Sequence, residues 1–355
     1  MAEGVNAADE ATSVVATVEP KTATDGAAAP EWRVVGETVR GASHLRSGTP
    51  NQDAILQVRE SSTGLPLVLS ISDGHGSDKC FRSDRGSRLA VAIGADLMRG
   101  AMKSVQRKPD VAQIESYARD TLPAEFTLRW KQAVEADLER EPLTEGELSK
   151  LEAKDRARAR QLVESHPLLA YGATTLTVGL ADTFVVYLQL GDGEIITVSE
   201  TGKVSKPLPE DERLMANETT SLCSDTAAQD FRFACQPLPD PPPALILMTT
   251  DGYANSFTDD AGFLKVGSDI LEMLHTDGFD AVNRSVRGWL EEATRMGSGD
   301  DCTLGIICRL DTLEARAPAN PTVVAEAEAR AQSLLPAESA EAATGGEAVQ
   351  TPEQK

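Results

Sequence analysis

Hydrophobic positions in this chain gather into short runs that stop at a carboxylate. LPLVLSIS runs into Asp73-Gly74-His75-Gly76, TFVVYLQLG into Asp192-Gly193, and ALILMTT into Asp251-Gly252. Apolar runs of this length, bounded by turn residues, predict buried strands, so each strand delivers one Asp to its end. Two further units place the carboxylate before the strand. Asn51-Gln52-Asp53 leads into a β-prone piece at Ala54–Arg59, and Gly297-Ser298-Gly299-Asp300-Asp301 leads into CTLGIICRL.

The remaining pattern supplies the frame. Val34–Val39 predicts a strand, and the Gly-, Ser- and Pro-containing stretch after it predicts a loop ending at Asp53. Ser87–Met98 has apolar residues at helical spacing, as do 268–275 and 279–295. Residues 100–168 are charged, with Trp130, Val134 and Leu138 four residues apart, and predict two or three helices with solvated faces. Tyr171–Leu190 is β-prone and split at Ala181-Asp182, predicting two antiparallel strands. Turns at Asp192-Gly193 and Thr201-Gly202 then continue it as a meander. Residues 205–243, with a Pro cluster at 237–243, predict a loop-rich segment. The strands are not regularly alternated with helices, and antiparallel hairpins dominate the centre. The expectation is therefore an α+β protein: a four-layer α-β-β-α sandwich of two antiparallel sheets flanked by helices, with the carboxylates at one end. One domain over 31–310 carries it. Residues 1–30 and 311–355, rich in Ala and Glu without periodicity, predict a disordered lead-in and tail.

Charge narrows the function. The net charge is -22; residues 1–30 hold five acidic and one basic residue and 311–355 eight and three, which leaves -13 between them. That excess argues against nucleic acid as a partner, since phosphate backbones are bound by clustered Lys and Arg. There is no apolar run near the roughly 18 residues a spanning helix needs, and the first residues are acidic where a signal peptide is basic. A cytoplasmic location away from membranes, and a monomer, are the expectations. Five cysteines without Cys-x-x-Cys spacing predict reduced core thiols and no zinc site.

Asp53, Asp73, Asp192, Asp251 and the Asp300-Asp301 pair all fall at strand ends, which are rigid enough to converge. Several carboxylates brought together raise each other's pKa, and a hard divalent cation relieves this. Ligation by oxygen alone favours Mg²⁺ or Mn²⁺ over Zn²⁺. Gly74, lacking a Cβ, lets its carbonyl approach an ion closely. Two ions about 3.5–4 Å apart can share a water, lower its pKa and orient a phosphoryl group for in-line attack. His75, beside Asp73, is then placed to protonate the leaving oxygen. Each Asp-Gly taken alone is an ordinary turn dipeptide.

The ordered set PNQDA (50–54), DGHG (73–76), YGATT (171–175), LGDG (190–193), TTDGY (249–253) and GSGDDCT (297–303) resembles the metal-dependent Ser/Thr protein phosphatases of type 2C, over about Gly36 to Leu310. The helical block 100–168 and ANETTSL (216–222) look most like a bacterial branch. The resemblance implies two Mn²⁺ or Mg²⁺ ions bridged by Asp73. Gly74 would offer its carbonyl, Asp53, Asp251 and Asp300 would complete the cage, and His75 would act as general acid. Asp192 would lie near a third, weaker ion, and a phosphorylated protein would be the substrate. Three departures stand out. Gln52 replaces the usual Glu before the first metal Asp, Gly193 replaces a Ser, and the Arg that binds substrate phosphate has no clear match, Arg46 and His44 being nearest. Asp300 aligns with the ligand position, with Asp301 a rival.

The leading expectation is hydrolysis of phosphoserine or phosphothreonine in proteins by a water activated by two metal ions. The alternatives are a phosphatase of small phosphate esters, or a weak or dead member of the family that binds a phosphorylated partner. A β-sandwich whose carboxylates are only turn residues is the bland reading, and the ordered set weighs against it.

Overall fold

The computed structural model describes residues 32–59, 64–106, 111–152, 157–209, 220–238 and 242–310. The expected lead-in and tail, and most of the ANETTSL segment, lie outside the described residues. The strands are β1 (Trp32–Val39), β2 (Ala54–Arg59), β3 (Leu67–Ser72), β4 (Thr175–Leu180), β5 (Phe184–Leu190), β6 (Glu194–Val198), β7 (Val204–Ser205), β8 (Arg232–Pro237), β9 (Leu245–Thr249) and β10 (Cys302–Arg309). The helices are α1 (Ala42–Ser47), α2 (Ser83–Gln106), α3 (Val111–Asp120), α4 (Leu122–Arg140), α5 (Glu145–Glu152), α6 (Ala157–Ser165), α7 (Ala227–Asp230), α8 (Asp251–Ala254), α9 (Asp260–Asp277) and α10 (Phe279–Met296). A 3₁₀ turn occupies Pro167–Tyr171.

Two five-stranded sheets result, ordered β1-β10-β9-β6-β7 and β2-β3-β4-β5-β8, with every neighbouring pair antiparallel. Successive side chains of a strand point to opposite faces, and here both faces are buried. In β3, Leu67, Leu69 and Ile71 enter a core between the sheets, where Val185, Tyr187, Ile246, Met248 and Ile307 meet them. Their neighbours Val68, Val186 and Leu188 face an outer core under α2, α3 and α4. Leu245, Leu247, Leu304 and Ile306 face a second outer core under α9 and α10. Three cores separate four layers, so the α-β-β-α sandwich follows from central strands such as β3, β4, β5, β9 and β10 that are buried along their whole length. Among the described residues no helix is long and apolar enough to cross a membrane, and the five cysteines are free thiols.

Several elements differ from the sequence expectation. The loop before Asp53 contains α1, whose six residues are too few for an apolar period and of which none is buried. The charged block holds four separate helices, α3 to α6, after the end of a 24-residue α2. The stretch 205–243 contains a strand, β8, which ends at Pro237 on a sheet edge, where a residue without an N–H is tolerated. The meander is also revised. β4 and β5 form the expected antiparallel pair, as do β6 and β7, but β5 and β6 belong to different sheets, so Asp192-Gly193 carries the chain from one layer to the other.

A carboxylate centre at one end of the sandwich

Strand register brings the predicted carboxylates to one end. Ala54 pairs with Ser72, so Asp53 and Asp73 flank the same end of β2 and β3. Leu304 pairs with Thr249, which places Asp251 and the Asp300-Asp301 pair together on the other sheet. Asp192 lies where the chain crosses between them, since Leu190 pairs with Thr175 and Glu194 with Thr249.

The two sheets are stitched at this end by Asp53. Its Oδ2 accepts hydrogen bonds from Thr250 Oγ1 at 2.8 Å and Thr303 Oγ1 at 2.7 Å, both from the opposite sheet. Its Oδ1 is buried without a partner among the described residues. An acceptor left bare in the interior costs about 1–3 kcal/mol, more when charged. The Asp73 main chain is pinned by the YGATT segment: its N–H donates to Thr174 Oγ1 at 3.0 Å, and its carbonyl accepts from Thr174 N at 2.8 Å. His75 N donates to Gly172 O at 3.0 Å.

The glycines after these aspartates answer to close approach. A Cβ on Gly74 would lie 2.6 Å from Ser83 O, on Gly193 2.6 Å from Thr249 O, and on Gly252 2.0 Å from Asp301 O. The departure at Gly193 thus has a steric reason, because a serine would meet the β9 backbone.

Burial pushes the carboxyls of Asp53, Asp73 and Asp251 up from the ordinary carboxylate range, and mutual repulsion adds to it. Asp301 and Asp251 act on Asp53. Asp53, Asp251 and Asp300 act on Asp73, and Asp192 and Asp300 act on Asp251. Asp73 and Asp251 are also within hydrogen-bonding reach of each other. Burial lowers the His75 pKa, opposed by the Asp192 charge. These residues fit a divalent cation on two counts: oxygen donors that raise one another's pKa, and a buried carboxylate oxygen, Asp53 Oδ1, without a hydrogen-bond partner among the described residues.

Asp300 and Asp301 part company. Asp301 is 3% exposed, and both its oxygens are taken: Oδ1 accepts from Gly41 N and Oδ2 from Gln52 N, each at 2.6 Å. His44 Nδ1 also lies 2.9 Å from Asp301 Oδ1, off the line of a well-aligned hydrogen bond. The Asp300 side chain is 53% exposed and keeps open ligand capacity. His44, Asp300 and Asp301 offer donor atoms within 4.8 Å of one another, but the amide bonds on Asp301 mark it as a clamp closing the 41–52 loop onto the 299–301 turn.

The candidate phosphate-binding residues fare differently. His44 is held by Asp301, which raises its pKa, and its Nε2 stands 3.6 Å from Asp300 Oδ1. Arg46 is exposed, two residues on and so about 200° around α1. Gln52 is a tie between loops. Its Nε2 donates to Ser83 Oγ and, at 3.4 Å, to the His75 carbonyl, while its own carbonyl accepts from Gly74 N at 3.1 Å. A glutamate there could not donate to the His75 carbonyl, so the amide suits this position. Thr174, Thr250, Thr303 and Asp301 were not singled out as supports, although all four lie inside the quoted motifs.

A four-layer sandwich with clustered acidic side chains at one sheet end defines a class of carboxylate-centred αββα proteins. A family model described as Protein phosphatase 2C matches residues 40–291. The chain belongs to the protein phosphatase 2C family, whose activity in general is metal-dependent dephosphorylation of proteins. The last motif, GSGDDCT, lies beyond the matched segment. Among solved structures, the catalytic domain of serine/threonine protein phosphatase PstP in complex with two manganese ions is 17% identical. It covers 78% of this chain and 97% of that one, with a TM-score of 0.46. PstP/Ppp of Mycobacterium tuberculosis is 16% identical, covering 78% and 98%, with a TM-score of 0.45. PppA of Pseudomonas aeruginosa is 17% identical, covering 79% and 99%, with a TM-score of 0.44. No curated protein matches the chain.

Proposed function

We propose that the protein hydrolyses phosphoserine and phosphothreonine in proteins, using Mn²⁺ or Mg²⁺ held by Asp53, Asp73, Asp251, Asp300 and the Gly74 carbonyl. Asp192 serves a third, weaker ion. The observation that carries this is the bare, buried Oδ1 of Asp53 beside two carboxyls that repel it. Two divalent cations, when bound, neutralise the carboxylates and supply a water acidic enough to attack phosphorus.

The chain's own residues do the rest. Thr250 and Thr303 orient Asp53, Thr174 holds Asp73 in place, and Asp301 fixes the turn that presents Asp300. His75, half-buried and set by its backbone bond to Gly172, gives its ring proton to the departing serine or threonine oxygen. Burial makes the His75 imidazolium a stronger acid, and the Asp192 charge keeps it from losing its proton too early.

The test is turnover of p-nitrophenyl phosphate and a phosphothreonine peptide with Mn²⁺, Mg²⁺ or EDTA. Metal-dependent release of phosphate is expected, lowered about 10²-fold or more by Asp73→Asn and by about 10²–10⁴-fold, on the peptide, by His75→Ala. Full activity in EDTA or in Asp73→Asn sinks the metal site. Turnover of small esters with none of the peptide moves the substrate to that class.

A further inference from the structure

One residue beyond His75 the chain forms the floor of a cleft of about 710 Å³, lined by Gly76, Ser77, Asp78 and Lys79 and, across from them, by Arg158, Ala159 and Leu162 of α6. This volume is within the roughly 300–1,000 Å³ of specific ligand sites. Its far wall is braced from inside. Arg82, itself buried, is paired with Glu147 of α5 at 2.7 Å and also donates to the carbonyls of Glu141 and Pro142. Arg160 joins α6 to α5 through Glu145 at 2.8 Å. Arg82 and Arg160 are thereby used up.

Lys79 and Arg158 are not: neither has an ion-pair partner among the described residues. Among the described lining residues Asp78 is the one acidic group against Lys79 and Arg158, so this lining is net cationic in a protein whose net charge is -22. Leu162 is 37% exposed, which leaves an apolar contact on the same wall. The cleft lining begins at Gly76, one residue after His75, and contains none of the carboxylates, so the chain on one side of a phosphorylated residue has this cleft within reach.

We propose that this cleft seats the residues flanking the phosphorylated side chain, and that Lys79 and Arg158 select substrates with Asp or Glu at those positions. The proposal rests on the phosphatase reading above. Cations facing carboxylates across a partly solvated cleft act mainly on binding, are screened by salt, and are worth a few-fold each.

Three phosphothreonine peptides that differ only in flanking Glu, Ala or Lys decide the matter, with the full chain and Mn²⁺. The ratio of kcat/KM between the Glu and Lys peptides is expected to be about five- to tenfold, carried by KM, and to collapse at roughly 0.5 M salt. Arg158→Glu should invert the order, and Lys79→Glu should weaken or invert it, a gain for the Lys peptide that a merely structural role would not give. Equal use of the three peptides, or an order unchanged in both variants, overturns the proposal. If p-nitrophenyl phosphate is not turned over, the phosphatase reading fails separately. Fluorescence anisotropy of the same peptides on wild type and Arg158→Glu then decides the cleft by the same inversion.

Discussion

Asp300 and Asp301 are neighbours in sequence with opposite work, and burial separates them. Asp301 holds Gly41 N, Gln52 N and His44, so Asp301→Asn turns an NH₂ group towards a backbone donor. A loss of about 2–4 kcal/mol in urea unfolding without metal is expected. Asp300, half in solvent, should lose less than about 0.5 kcal/mol as Asn, yet need about tenfold more Mn²⁺ for half-maximal activity. The reverse pattern, a metal shift in Asp301→Asn and none in Asp300→Asn, would exchange their roles. Sequence alone could not divide the pair, because both precede the same strand and only the partners, some 250 positions earlier, distinguish them. The same holds for Gln52. Read from the sequence it is a lost charge, whereas its contacts make it a donor to Ser83 and His75.

At the scale of elements, the strand ends were legible because β3, β5, β9 and β10 are mostly apolar runs, buried along their whole length, that end at an Asp or, for β10, start after one. What escaped was structure made by distant contacts. α1 has no buried residue and is held by Gly41, Ala42 and Ser43 bonding to Asp301, Thr294 and Gly299. The crossing of Asp192-Gly193 between sheets depends on β6 pairing with β9, fifty residues later. The α5–α6 wall is likewise fixed by one buried side chain. Arg82 sits 5% exposed between Glu147, two carbonyls and the Tyr171 hydroxyl, whose own proton goes to Asp137. The Arg82 guanidinium holds the Glu147 carboxyl down to about 2. Because Glu147 is part-exposed, Arg82→Ala is expected to cost about 2–3 kcal/mol, below the value for a fully buried pair. It should also raise hydrogen exchange in α5 and α6 before the sheets. Uniform exchange across the molecule would mean that Arg82 does not anchor this wall separately.

For the whole molecule, the centre makes stability and function pull apart. Asp53, Asp73 and Asp251 have carboxyls raised above their ordinary 3.8, and His44 is raised above 6.5. In each case the folded group holds its proton more tightly than the unfolded one. The contribution is therefore fully present below the unfolded value and is lost as pH rises through the folded one. For the carboxyls the loss begins near pH 4, and for His44 near pH 6.5. Glu147, with its lowered pKa, works the other way, adding stability above about pH 4.5 that disappears as pH falls towards 2. Metal-free protein should thus melt highest near about pH 4–4.5 and progressively lower towards about pH 8. A divalent cation needs the ionised carboxylates, so the rise in Tm on adding Mn²⁺ should be larger at pH 8 than at pH 5.5. Asp251→Asn removes one of the crowded charges. At pH 8 without metal it is expected to melt above wild type, by a shift worth about 1–2 kcal/mol, while losing the response to Mn²⁺. Differential scanning fluorimetry across pH, with EDTA or Mn²⁺, reads all three effects at once. A metal response independent of pH, or an Asp251→Asn protein that melts below wild type in EDTA at pH 8, would mean that these carboxylates do not carry the strain that a cation relieves.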